Sequence, residues 1–160
     1  MMYKVPFYIA LFFSLAVFSQ ETLSNKELSN HKEEVKQTIL NFFEGFHKAD
    51  TVKMKNVMDQ NITILTVTKN KEGRFETIKI APQNFLKTIK SRPEDQKWEE
   101  KLLSFKIETN KDIANVWTPY EFYLNDTFSH CGVNVFQLFN DGTTWKIIAI
   151  ADTRNKEECK

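Results

Sequence analysis

Glycine and proline are scarce in this 160-residue chain, four of each, and histidine and cysteine are scarcer still, at three and two. So little glycine and proline argues against a low-complexity or disordered chain, and no internal repeat or biased tract is present. Two cysteines with no histidine at ligand spacing make no zinc pattern, so no metal is expected, and nothing in the sequence calls for a cofactor. Charge of one sign is missing too. Lysine and arginine total 22 against 21 acids, with no basic stripe carrying interleaved aromatics, which excludes nucleic acid as an expected partner. The only long apolar run, Val5 to Phe18, is shorter than the roughly 20 residues needed to span a bilayer.

That run follows Lys4 and closes on Val17-Phe18-Ser19 before Gln20-Glu21. A basic start, a short apolar stretch and small residues at −3 and −1 are what export and signal peptidase require, so residues 1–19 read as a signal peptide cleaved after Ser19. No cysteine stands at the cleavage site, so no lipid anchor is expected and no membrane partner after cleavage. The expected destination is the periplasm or the exterior. Residues 20–30 then read as a polar tether and 31–160 as one domain. Such a compartment permits Cys131 and Cys159 to pair. Paired, they would clip the charged tail to the strand carrying Cys131; unpaired, one would be buried and the other would lie in the tail. The bridge is the expectation.

What the chain does have is phenylalanine, 14 residues of it, which favours a compact aromatic interior. Val35, Ile39, Phe42, Phe43 and Phe46 recur at helical spacing and predict an amphipathic helix, capped by Asn30 with Glu33 and ending near Lys48, where Gly45 weakens the last turn. His47 would cap the helix's last carbonyls. Asp50 should cap a short second helix. Ile62 to Thr68 and Phe75 to Ile80 read as a hairpin, and Pro82 opens a third helix that Pro93 stops. Four strands follow, Leu102 to Thr109, Ile113 to Leu124, Phe128 to Phe139 and Trp145 to Asp152, as an antiparallel meander whose last turn contains Asp141-Gly142. Pro119 marks an edge or a bulge in its strand. The fold class is α+β, with three helices on one face of a curved antiparallel sheet.

This order, together with Thr118-Pro119-Tyr120-Glu121-Phe122-Tyr123, Ser129-His130-Cys131-Gly132 and Asp152-Thr153-Arg154, resembles the nuclear transport factor 2-like superfamily. Within it, these runs resemble the lumazine-binding family of exported bacterial proteins. The resemblance implies a cystatin-like half-barrel with an apolar pocket, a homodimer formed through the outer sheet face, and, by the family's name alone, a lumazine-like ligand.

Counting back from the Asp-Gly turn places His130 to Gly132 beside Asp152 to Arg154, and strand alternation sends Asp152 and Arg154 to one face. A carboxylate and a guanidinium near an imidazole could hold a polar ligand group, or form an ordinary ion pair at a sheet end. Cys131 points away from His130 and is discounted as a nucleophile. Trp117, Tyr120 and Tyr123 are candidates for the pocket wall, as rings with an apolar body and a polar handle. The expected ligand-binding set is therefore Trp117, Tyr120, Tyr123, His130, Asp152 and Arg154, with no catalytic residue named. Three functions compete: an exported small-molecule-binding module, which leads; an isomerase-, dehydratase- or hydrolase-type enzyme using Asp152 or His130 as general base; and a non-catalytic homodimerising domain. They differ in whether His130, Asp152 and Arg154 face a cavity or solvent.

Overall fold

The computed structural model describes residues 8–156 and 159, with side chains from residue 25 onward. The expected signal segment therefore begins outside the described residues, and its side chains lie outside them as well.

Helix α1 spans Tyr8–Lys48. The stretch expected as a tether, 20–30, is helical and continuous with it, so Asn30 sits inside a helix and caps nothing. The reason is local: the segment contains no glycine or proline, and its glutamate, leucine and lysine residues are good helix formers. Burial begins further on. Val35, Ile39, Phe42, Phe43 and Phe46 form one buried face, as their spacing requires. Helix α2 (Thr51–Val57) is capped by Asp50, whose carboxylate accepts from the Val52 and Lys53 amides. Gly45 does more than weaken a turn. A Cβ there would stand 2.7 Å from Met54 Cγ and 2.9 Å from the Asp50 carbonyl, so its absence lets α2 lie against α1.

Strands β1 (Met58–Lys69) and β2 (Phe75–Ile80) form the expected hairpin. Helix α3 (Pro82–Lys90) follows with proline in its first turn, then β3 (Trp98–Leu102), β4 (Lys106–Thr109), β5 (Ile113–Leu124), β6 (Thr127–Asn140) and β7 (Trp145–Thr153). The single strand expected over Leu102 to Thr109 is thus two strands, and it begins four residues earlier. Both pair with β5, and the break between them lies opposite Pro119. The Pro119 carbonyl accepts from the Leu103 amide, so its missing N–H would have faced the same side, where the partner strand has already parted. Pro119 is neither at a sheet edge nor in a bulge; the register shifts of β5 and β6 fall at Phe122/Tyr123 and Gln137/Leu138.

The sheet order is β2-β1-β7-β6-β5-β3, with β4 also on β5. It is antiparallel except that β1 joins β7 in parallel, which carries the hairpin onto the end of the meander. The sheet curves without closing, and α1 and α3 cover its concave face. Phe136, wholly buried at the centre of β6, meets the rings of Phe42 and Phe43 edge-on at 6.2 and 6.0 Å. Cys131 and Cys159 are bonded, with Cα atoms 5.6 Å apart, and Asn155 pairs with Cys131 along β6.

Candidate functional site

Between the helices and the concave face lies a cavity of about 460 Å³. Its helical side is aromatic and aliphatic: Phe42, Phe43 and Phe46 from α1, Phe85 and Ile89 from α3. Its sheet side carries Thr66, Trp98, Glu100, Tyr120, Phe122, His130, Asn134, Asp152 and Arg154. The polar groups are gathered at one end by strand register. Thr66 lies opposite Asp152 across β1 and β7, Asp152 opposite Asn134 across β7 and β6, and Glu100 opposite Phe122 across β3 and β5.

Four of the six expected site residues line the cavity: Tyr120, His130, Asp152 and Arg154. Trp117 and Tyr123 do not. On β5 the even-numbered residues from Ala114 to Tyr120 are buried, whereas Trp117 is 51 % exposed on the opposite face, against a shallow outer groove. Tyr123 points outward too, donating to Glu121 at 2.7 Å beneath the Lys101 ammonium. His47 also departs from expectation. Its Nε2 accepts the Glu100 amide at 3.0 Å, and burial lowers its pKa, so the ring acts as a neutral acceptor. The carbonyls ending α1 are met instead by Arg92, which donates to the His47 carbonyl at 2.8 Å.

Asp152 is the best-held side chain in the site. Its Oδ1 accepts from the Thr66 hydroxyl at 2.5 Å, and its Oδ2 from Arg154 Nε at 3.0 Å and, more distantly, from Tyr120 at 3.5 Å. The Tyr120 hydroxyl donates chiefly to the Thr153 carbonyl, at 2.9 Å. Tyr120 reaches β7 by crossing β6 at Gly132, its partner in register. A Cβ on Gly132 would stand 1.8 Å from the Thr153 carbonyl oxygen and 2.9 Å from the Tyr120 ring, so a side chain there is excluded by the crossing ring and the adjoining backbone. Burial raises the Tyr120 pKa, with the charges of Glu100 and Asp152 adding to it, and the phenol stays protonated. Burial lowers the His130 pKa, helped by Arg154. The His130 ring stacks on Phe122 at 4.8 Å, and its Nδ1 lies 3.1 Å from the Ser129 hydroxyl.

The sequence reading missed Glu100 and Asn134. Asn134 donates to Glu100 Oε1 at 2.6 Å. The other carboxyl oxygen, Oε2, has no partner among the described residues, and it is not sealed in protein: the side chain keeps some accessible surface because it faces the cavity. Burial raises the Glu100 pKa to about 7, the Asn134 bond opposing and the Asp152 charge assisting. Among carboxyl groups of the cavity, only this one has an oxygen free to meet a ligand.

A curved sheet holding an apolar cavity under a long helix, with hydrogen-bonding groups at one end, defines a half-barrel pocket protein. The comparisons give the architecture its name. No family model matches the chain, and no curated protein matches it. Solved structures do match: a nuclear transport factor 2-like protein with a cystatin-like fold from Novosphingobium aromaticivorans superposes with a TM-score of 0.68 at 12% identity, over 88% of this chain and 92% of that one. A nuclear transport factor 2-like protein of unknown function from Pseudomonas putida gives 0.64 at 13% identity, over 81% and 90%, and a nuclear transport factor 2-like protein from Cytophaga hutchinsonii gives 0.60 at 12%, over 78% and 98%. The chain has the nuclear transport factor 2-like, cystatin-like fold.

Proposed function

We propose that this protein is an exported binding module that holds a small, partly aromatic molecule in the cavity, with the molecule's polar group at the Glu100, Asn134 and Asp152 end. The observation that carries the reading is the free Oε2 of Glu100 at the end of an aromatic cleft. A volume of about 460 Å³ suits a molecule of two or three fused rings. A lumazine-like compound, as the sequence resemblance implies, belongs to that size class. Export rests on the signal-like residues 1–19, and the disulfide is compatible with that destination. The exposed Trp117 and Ile113 on the outer sheet face fit the expected homodimer.

A second reading, proton-transfer catalysis, is favoured by one observation. Glu100, with a pKa of about 7, is poised to exchange a proton near neutrality. In that case Glu100 is the base rather than Asp152 or His130, since both oxygens of Asp152 are already engaged.

The neutral dye N-phenyl-1-naphthylamine, fluorescent only in apolar surroundings, tests the pocket. One-to-one uptake is expected, lost in Thr88→Trp, which adds a ring at an exposed cavity-lining position on α3 and is expected to leave the melting temperature unchanged. Dye uptake that ignores this variant, or no uptake, contradicts the reading. Native mass spectrometry of the purified protein would show any molecule retained from the producing cell.

A further inference from the structure

The charges around the cavity constrain the ligand's head group, an inference that rests on the small-molecule reading above. Among the described residues, two carboxyl groups and one guanidinium line the cavity. The guanidinium, Arg154, donates from Nε to Asp152 at 3.0 Å and stands half-exposed at the rim, where it also borders an outer cleft. Glu100 lies deeper and, among the described residues, has no lysine or arginine within ion-pair distance. Its one donor is the neutral Asn134 amide. A buried carboxylate whose nearest guanidinium, Arg154, is shared with Asp152 and makes no direct ion pair with it is costly to ionise, and a cation arriving in the cavity would supply that direct partner.

The aromatic surroundings point the same way. Phe122 lies directly opposite Glu100 on the neighbouring strand, and Phe46, Trp98 and Phe122 stand 6.1 to 6.4 Å apart in a mutually angled triad. His130 stacks on one face of Phe122 and the Arg92 guanidinium stands over Trp98, so the ring faces left uncovered are those that can favour a desolvated positive nitrogen by cation–π attraction. An anionic head would meet like charge at Glu100 and be rejected.

We infer that the cavity selects molecules carrying a positively charged nitrogen on an aromatic body, the nitrogen seated against the Glu100 carboxyl and the body among Phe46, Trp98 and Phe122. The Glu100 environment comprises Tyr120 from β5, Asn134 and His130 from β6, Asp152 from β7 and Arg154 just beyond its end, and the His47 ring from α1. Glu100, its pKa pushed up to about 7 by burial, is the carboxyl whose ionisation changes near neutrality and which a bound cation would touch. Such a ligand favours the ionised carboxylate, so its binding releases a proton and its affinity rises with pH until Glu100 is fully ionised.

Isothermal titration calorimetry with three probes of one skeleton decides this: tryptamine, the neutral tryptophol and the anionic indole-3-acetate. Tryptamine is expected to bind at least about tenfold more tightly than tryptophol at about pH 8, with indole-3-acetate weakest. The preference should shrink at about pH 6 and disappear in Glu100→Gln, which should still bind tryptophol. The pH series on the unaltered protein stands even if that variant folds poorly. Equal binding of tryptamine and tryptophol, tighter binding of indole-3-acetate, or no tryptamine binding, in protein that still takes up N-phenyl-1-naphthylamine, overturns the cation assignment and leaves the pocket reading intact. If the dye is excluded as well, both fail.

Discussion

The two ends of the cavity are built by different rules. At the helical end, Phe42, Phe43, Phe46 and Phe85 come from helices and meet at ring distances of 5.3 to 6.3 Å. Nothing there depends on a single atom. At the sheet end, Glu100, Asn134, Asp152, Thr66 and Tyr120 come from five strands, and each position depends on register and on a named hydrogen bond. The first end supplies apolar area, which is non-directional and stabilises the fold. The second leaves a carboxyl oxygen without a partner among the described residues, a feature that costs stability and has value toward a ligand.

Substitutions should separate the ends, the largest effect coming from the aromatic one. Phe136→Ala should destabilise the fold by about 3 to 5 kcal/mol in denaturant unfolding, because a wholly buried ring is lost between Phe42 and Phe43. A loss under about 1 kcal/mol would mean that this end is loosely packed.

Glu100→Gln should do the reverse at alkaline pH. Between the ordinary 4.5 and the folded value of about 7, the folded protein keeps a proton that the unfolded chain has released, so the wild-type stability falls as pH rises through that window. The variant lacks this slope. It should match the wild type near about pH 4 and exceed it by up to roughly 3 kcal/mol at about pH 8, read from melting curves of both proteins across the range.

Gly132→Ala should cost about 2 kcal/mol and lower affinity for any ligand of the polar end, because the added methyl displaces Tyr120 or Thr153. Calorimetry and thermal melting read the two effects together. Trp117→Ser is the control outside both ends, with stability within about 0.5 kcal/mol and unchanged cavity affinity. An affinity loss there would return Trp117 to the site.

The aromatic end was legible in the sequence, since the spacing from Val35 to Phe46 fixes one helical face and the structure buries that face. The polar end was legible only in part. Asp152, Arg154 and His130 follow from alternation counted back from the Asp141-Gly142 turn, and they do share the cavity. The same alternation excludes the set Trp117, Tyr120 and Tyr123 from sharing one face, because positions three apart on a strand point opposite ways. Tyr120 is inside, and the other two are not. Glu100 was hidden because Trp98-Glu99-Glu100-Lys101 has the charge of a loop. Only the pairing of β3 with β5 makes it a strand, and that pairing is a long-range contact no local pattern encodes. Asn134 acquires its role only through Glu100.

Carbon-13 NMR titration of the Glu100 side-chain carboxyl, assigned by comparison with Glu100→Gln, tests the account most directly. An apparent pKa near 7 is predicted for the free protein, falling by about one unit or more with saturating tryptamine. A titration near the ordinary 4.5, indifferent to tryptamine, would contradict the claim that this carboxyl stands buried in the cavity without a direct ion partner.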